Sequence, residues 1–348
     1  MTAAPRILQI VLGSDDLPFA KHLYSTVFGF AVAGERLIFS EHNGQAMGFG
    51  GFGGAAVLYM VGRQELMQLE FWTHTRPRQR PLSDGWRPDD IGPCRFGIAV
   101  PDFDAVLERL AALGVATLTE AAIVDGLRRV CFRDPTVGVP VEIMEEGLGL
   151  PGRRDHHHDL KPAIAYVALS VADLEEAVDF FGGVVGLEQV DVQLHTADQE
   201  RLWGLTGARR EVATLRGGTS FLELVRYDVP GRALPVGGVL DRQGFKAFAV
   251  GDRDPAVAGG VFARVRAAGL GWTVADPASF IGGNHAIGAV AHQLKTLSVP
   301  HELEREFAFS PEPPKWWGGP TQPAKSQSRP ITTRPAAACL ENVTGARP

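Results

Sequence analysis

Four times along the chain a strand-like segment carries a glutamate at the same place in its pattern: Glu70 in MQLEFW, Glu142 in VPVEIM, Glu223 in FLELVR and Glu302 in PHELER. They recur at intervals of roughly 70 to 80 residues, and repetition at one period marks a duplicated unit. Each glutamate has apolar neighbours, so on a strand of period two it points to the face opposite theirs. A carboxylate held on an inner face is costly unless something pairs with it. What pairs with it is therefore the functional question.

The repeated unit extends beyond its glutamate. Each copy opens with a short apolar strand, reaches an acidic residue, and continues as an amphipathic helix ending near glycine. The copies are ILQIVLGSDD with LPFAKHLYSTVFGF, CRFGIAVPD with FDAVLERLAALGV, IAYVALSVAD with LEEAVDFFGGVVGL, and FKAFAVGDRD with PAVAGGVFARVRAAGL. Asp16, Asp102, Asp173 and Asp254 stand where an N-cap is needed. Gly29, Gly114, Gly186 and Gly269 stand where a left-handed residue ends a helix. Short strand-like segments follow each helix, so the unit reads βαβββ. Glycine, proline and a charge run in GLGLPGRRDHHHDLKP mark residues 149–162 as a linker. The expected organisation is a first domain over 1–148, a second over 163–308, each of two units, and a proline-rich tail over 309–348 that lacks the composition to bury a core.

Composition narrows the class of partner. The 348 residues are 45% hydrophobic and 21% charged, which suits globular domains with a real core. A formal charge of −6 argues against nucleic acid, whose phosphates call for clustered Lys and Arg. Cys94, Cys131 and Cys339 form no CxxC pair, which fits a reducing compartment. No apolar run is long enough to span a membrane, and an acidic pair follows the first apolar stretch too soon for a signal peptide. The expectation is a cytoplasmic protein, monomer or homodimer, with a small-molecule substrate and neither nucleic acid nor membrane as partner.

LYSTVFGF and DFFGGVVGLE, the Asp-Pro turn of FRDPTVGVPVEIMEE, and VALSVADLEEAVDFF together resemble the vicinal oxygen chelate superfamily of glyoxalases, extradiol dioxygenases and bleomycin-resistance proteins. The resemblance covers roughly residues 6–305 and is weakest in the fourth unit, which lacks the Asp-Pro turn. It implies an α+β fold of two tandem domains, each with two βαβββ modules closing a half-open barrel. It also implies metal ligands on the first and last strands of each module. The last-strand positions fall on Glu70, Glu142, Glu223 and Glu302. The first-strand positions, ordinarily histidine, fall on Gln9, Arg95, Tyr166 and Phe245.

That departure bears on the chemistry. A catalytic divalent metal takes about three protein ligands and an open position, and two carboxylates alone leave a transition metal largely hydrated. No cofactor is expected, with a divalent metal as the alternative. The favoured reading is an enzyme acting by acid–base chemistry on a small apolar or aromatic oxygenated substrate, as an isomerase, epimerase or lyase. Its expected catalytic residues are Glu223, Glu302 and Tyr166, with Phe245, Trp203, Arg95 and Phe96 binding substrate. Arg95 is expected to neutralise Glu70 or Glu142, leaving Glu223 and Glu302 for chemistry. One alternative is a metal-dependent dioxygenase or glyoxalase-like lyase drawing a ligand from His156, His158, His285 or His292. Another is a non-catalytic small-molecule-binding or resistance protein. His195 lies off the ligand positions and reads as a surface or satisfied core histidine. The glycine-rich stretch 42–54 reads as a hairpin connection or a flap, and Leu202, Trp203 and Leu205 as a pocket entrance.

Overall fold

The computed structural model describes residues 4–41, 53–147, 160–229, 231–232, 241–252 and 254–268, and the strand backbones 272–275, 285–288 and 294–298. The first module contributes β1 (Arg6–Gly13), β2 (Ala31–Ser40), β3 (Gly53–Val61) and β4 (Gln68–Arg76). The second contributes β5 (Gly92–Val100), β6 (Ala122–Val124), β7 (Leu127–Arg133) and β8 (Pro140–Glu145). The third contributes β9 (Ala163–Ser170), β10 (Glu188–Val190), β11 (Arg210–Gly217) and β12 (Ser220–Tyr227). The fourth contributes β13 (Gly244–Asp252), β14 (Trp272–Ala275), β15 (His285–Gly288) and β16 (Leu294–Ser298).

A helix follows the first strand of every module, and each N-cap is the anticipated aspartate. Asp16 accepts from Phe19 N, Asp102 from Ala105 N, Asp173 from Glu176 N and Asp254 from Ala256 N. Each carboxylate satisfies a backbone donor that the first helical turn leaves unpaired. The first and third helices end in a π-helical turn closed by Gly29 and Gly186 at positive φ. Gly269 lies outside the described residues.

The fold class is the expected one, α+β with βαβββ modules, but the modules do not pair in sequence order. One eight-stranded sheet runs β14-β15-β16-β13-β1-β4-β3-β2 and joins the first module to the fourth. The other runs β10-β11-β12-β9-β5-β8-β7-β6 and joins the second to the third. The seams are antiparallel pairings of first strands, β1 with β13 and β5 with β9. The chain is thus nested, and the linker at 149–162 divides it in sequence without dividing the sheets into 1–148 and 163–308. The main core lies between the sheets and the helices and includes Ile10, Leu12, Phe96, Ile98, Val167 and Phe248. The opposite face of each sheet forms the inside of a cup.

Candidate functional site

In the inner cup, built by the second and third modules, alternation turns Arg95 on β5, Glu142 on β8, Tyr166 on β9 and Glu223 on β12 to one face. These are four of the eight positions named by the resemblance. All four are wholly buried. Gly97 makes the crossing of Tyr166 fit: a Cβ there would stand 2.3 Å from the tyrosine ring.

The residue at the centre is one that sequence reasoning passed over. His195 enters from the loop between β10 and β11. Its Nδ1 lies 2.8 Å from Glu223 Oε1 and its Nε2 lies 2.8 Å from Glu142 Oε2. A neutral imidazole has one N–H and one lone-pair nitrogen, and a lone pair facing a carboxylate oxygen is repulsive. Only the imidazolium donates to both. Burial works against that charge, but Glu223 and Glu142 outweigh it and raise the pKa of His195. The remaining contacts complete the network. Arg95 Nη2 donates to Glu223 Oε2 at 2.5 Å, Tyr166 Oη donates to Glu142 Oε2 at 2.6 Å, and Arg129 Nη1 lies 3.8 Å from Glu142 Oε1. Burial raises the carboxyl pKa of Glu223, yet His195 and Arg95 overcome it and hold the group down at about 2.

The loop bearing His195 closes the cup and is itself fixed. Arg129 Nη1 donates to Leu194 O, and Arg210 Nη2 donates to His195 O. Thr196 and Gln199 form a capping box opening the 3-10 segment Ala197–Trp203. Trp203 lies beneath Arg95, whose Cζ is 3.9 Å from the ring centroid, and meets the edge of His195 at 5.1 Å. Its indole N–H donates to Glu200, which also accepts from Tyr227 and pairs with Arg210.

Several expectations are corrected by this arrangement. Arg95 pairs with Glu223, in place of Glu70 or Glu142. Tyr166 binds Glu142, so Glu223 and Tyr166 belong to a closed charge network with Glu142. Trp203 seals the cup and is 1% exposed, with Leu202 and Leu205 in the same apolar cluster, so none lines an entrance. Phe96 and Phe245 meet edge to face at 6.1 Å in the core under the helices. Glu302, His156, His158 and His292 lie outside the described residues, as does most of 42–54. His285 opens β15, in the sheet of the first and fourth modules.

Phe245 misses the cup because β13 carries a bulge. Val11 pairs with Ala247 and Leu12 with Phe245, so Lys246 is the extra residue. A bulge re-aims a side chain, and here it turns Lys246 into the outer cup. The Lys246 side chain lies over Gly13, where a Cβ would stand 2.3 Å from its Cε. Burial pushes its ammonium down to about 7, against the opposing pull of Asp241 and Glu70. Asp241 is held by Arg80 through two contacts of 3.0 and 2.6 Å.

The rest of the outer cup follows from alternation along β4, which brings Gln68, Glu70, Trp72 and His74 to one face. Gln9 Nε2 donates to Gln68 Oε1 across the parallel β1–β4 pairing. Tyr59 stands opposite Glu70 on β3, and burial followed by the Glu70 charge lifts the phenol well above its ordinary value. Trp72 and His74 stack with centroids 5.5 Å apart. Ala55, Val57, Ala247 and Ala249 give the cup a floor of small apolar side chains.

The implied metal can be tested against these residues. In the inner cup both glutamates are bonded to cationic donors, and Arg95 and Arg129 stand in the same space, so the set does not fit a divalent cation. In the outer cup the positions hold Gln9, Glu70 and core-facing Phe245, with the Lys246 amine beside Glu70; the fourth, Glu302, lies outside the described residues. Among the described residues no three or more His, Cys, Asp or Glu side chains converge on a metal-sized site.

The chain has the vicinal oxygen chelate fold. Glyoxalase I from Zea mays is similar over 87% of this chain and 94% of that one, at 18% identity and a TM-score of 0.56. A putative dioxygenase from Bacillus subtilis subsp. subtilis str. 168 is similar over 87% of this chain and 90% of that one, at 14% identity and a TM-score of 0.57. No family model matches the chain, and no curated protein matches it. No helix among the described residues is long and apolar enough to cross a membrane.

Proposed function

We propose that the outer cup is the working site and that it carries acid–base chemistry on a small oxygenated molecule, as an isomerase, epimerase or lyase. The observation that carries this reading is the bulged Lys246, buried over Gly13 beside Glu70 with its ammonium pushed down to about 7. An amine that titrates near neutrality exists in both forms there and can take up or return a proton. Glu70 stabilises the charged form, the Tyr59 hydroxyl orients a substrate oxygen, and Trp72 with the alanine floor receives an apolar body. The inner cup is a poor candidate, because both of its carboxylates are already engaged by His195, Arg95 and Tyr166 under Trp203.

The test is hydrogen–deuterium exchange at carbon. Small hydroxy- and oxo-carbonyl compounds are incubated with the protein in deuterium oxide and followed by proton NMR. The expected result is exchange at the carbon next to a carbonyl, lost in Lys246→Met and strongly reduced in Glu70→Gln. Exchange that survives both substitutions sinks the proposal. Saturable binding without exchange points to a binding protein instead.

A further inference from the structure

The inner cup raises a separate question: why two carboxylates at metal-ligand positions persist where a metal does not fit. We infer that the imidazolium of His195 is a built-in cation that takes the place of a divalent ion and holds the second and third modules together. Glu142 lies on β8 of one module and Glu223 on β12 of the other, and the ring joins them across the β5–β9 seam through one contact of 2.8 Å at each nitrogen. Its role is that of a bridging ion, with one positive centre, two anionic oxygens and one oxygen from each half.

The surroundings fit a fixed cation better than an exchangeable one. Arg95 from β5 takes the other oxygen of Glu223, and Tyr166 from β9 shares the same Glu142 oxygen as the ring. Arg129 from β7 faces Glu142 and also anchors the histidine loop at Leu194 O. From the loop side Trp203 covers the ring, while Glu200, Arg210 and Tyr227 form an adjoining set that balances itself. Cys131, on β7 opposite Glu142, is buried. An incoming metal would have to displace the imidazolium and lie beside Arg95. The assignment concerns the inner cup alone and does not depend on the chemistry proposed at Lys246.

A cavity variant tests it. His195→Gly removes the ring and leaves both carboxylates, so the thermal midpoint of the full chain should fall by roughly 10 °C, the scale of a broken buried ion pair. Imidazole added to the buffer should restore much of that loss and leave the unsubstituted protein unchanged. 1-Methylimidazole fills similar space but its cation has one N–H, and it should restore little. Equal rescue by the two compounds, or none by imidazole, overturns the inference. Should the variant fail to fold, nitrogen-15 NMR of the unsubstituted protein decides. Two protonated ring nitrogens at neutral pH support a cationic bridge, and a neutral tautomer overturns it. A stoichiometric divalent metal that is lost in Glu142→Gln would also overturn it.

Discussion

Lys246 reaches the outer cup because Gly13 has no side chain. A Cβ on Gly13 would stand 2.3 Å from Lys246 Cε and 2.1 Å from the backbone oxygen of Arg242. The oxygen belongs to main chain and cannot swing aside. Gly13→Ala should therefore destabilise the protein by about 1–3 kcal/mol through overpacking. It should also move Lys246 away from Glu70. Urea unfolding checks the first effect, and loss of carbon exchange checks the second.

The pH profile of the proposed activity follows from Lys246. An amine lowered to about 7 is neutral above that value and can accept a proton only there. With exchange as the readout, kcat/KM should rise with pH through an apparent value near 7. Lys246→Arg stays charged across this range, so it should remove the limb and cost about a hundredfold or more in rate.

Stability should depend on pH through the inner cup. The folded pKa of His195 is raised, so its contribution is complete below the ordinary histidine value and is lost as pH rises through the raised one. Glu223 behaves in the opposite sense. Its folded pKa is held at about 2, so its contribution is present above the ordinary carboxylate range and lost as pH falls through about 2. Urea midpoints should therefore decline on the alkaline side in the unsubstituted protein, and His195→Gln should lack that component.

Arg95 and Glu223 form a buried pair whose members cannot be removed singly without cost. Arg95→Met leaves Glu223 short of a partner and should cost about 3–5 kcal/mol. Arg95→Met combined with Glu223→Leu removes both charges and should recover part of that loss. A double-mutant cycle by chemical denaturation measures the coupling. A cost for the double variant equal to the sum of the single ones would show that the two do not interact.

The helix caps give a simpler check. Asp102→Ala should cost about 1 kcal/mol, because the backbone donor of Ala105 loses its acceptor. Asp102→Asn should cost much less. Thermal melts of the two variants distinguish the cap from a general effect of removing charge.

The local grammar of this fold is legible in its residues. Four aspartates at strand–helix junctions cap four helices, and Gly29, Gly114 and Gly186 adopt positive φ. Alternation also predicts that Arg95, Glu142, Tyr166 and Glu223 turn inward. What alternation lacks is the partner of each side chain, because partnering depends on which first strands meet at a seam. The same limit hid the pairing of first module with fourth. Phe245 departs from the predicted face for a different reason: alternation assumes an unbroken strand, and the bulge at Lys246 shifts the count by one residue. His195 lies in a loop where no periodicity applies. One signal stood beside it, the Thr-x-x-Gln pattern of Thr196 and Gln199, which marks an ordered turn start immediately after the histidine.

The nested pairing of modules also sets an order of assembly. The second and third modules are neighbours along the chain, and the seam β5–β9 closes a comparatively short loop. The seam β1–β13 joins residues near 10 to residues near 248 and must enclose everything between them. Long closures are slow because their entropy is lost before their contacts form. On a ribosome the cup locked by His195 would be complete while β1 still lacked its partner. The sheet containing Lys246 would then close last, around a neighbour already folded.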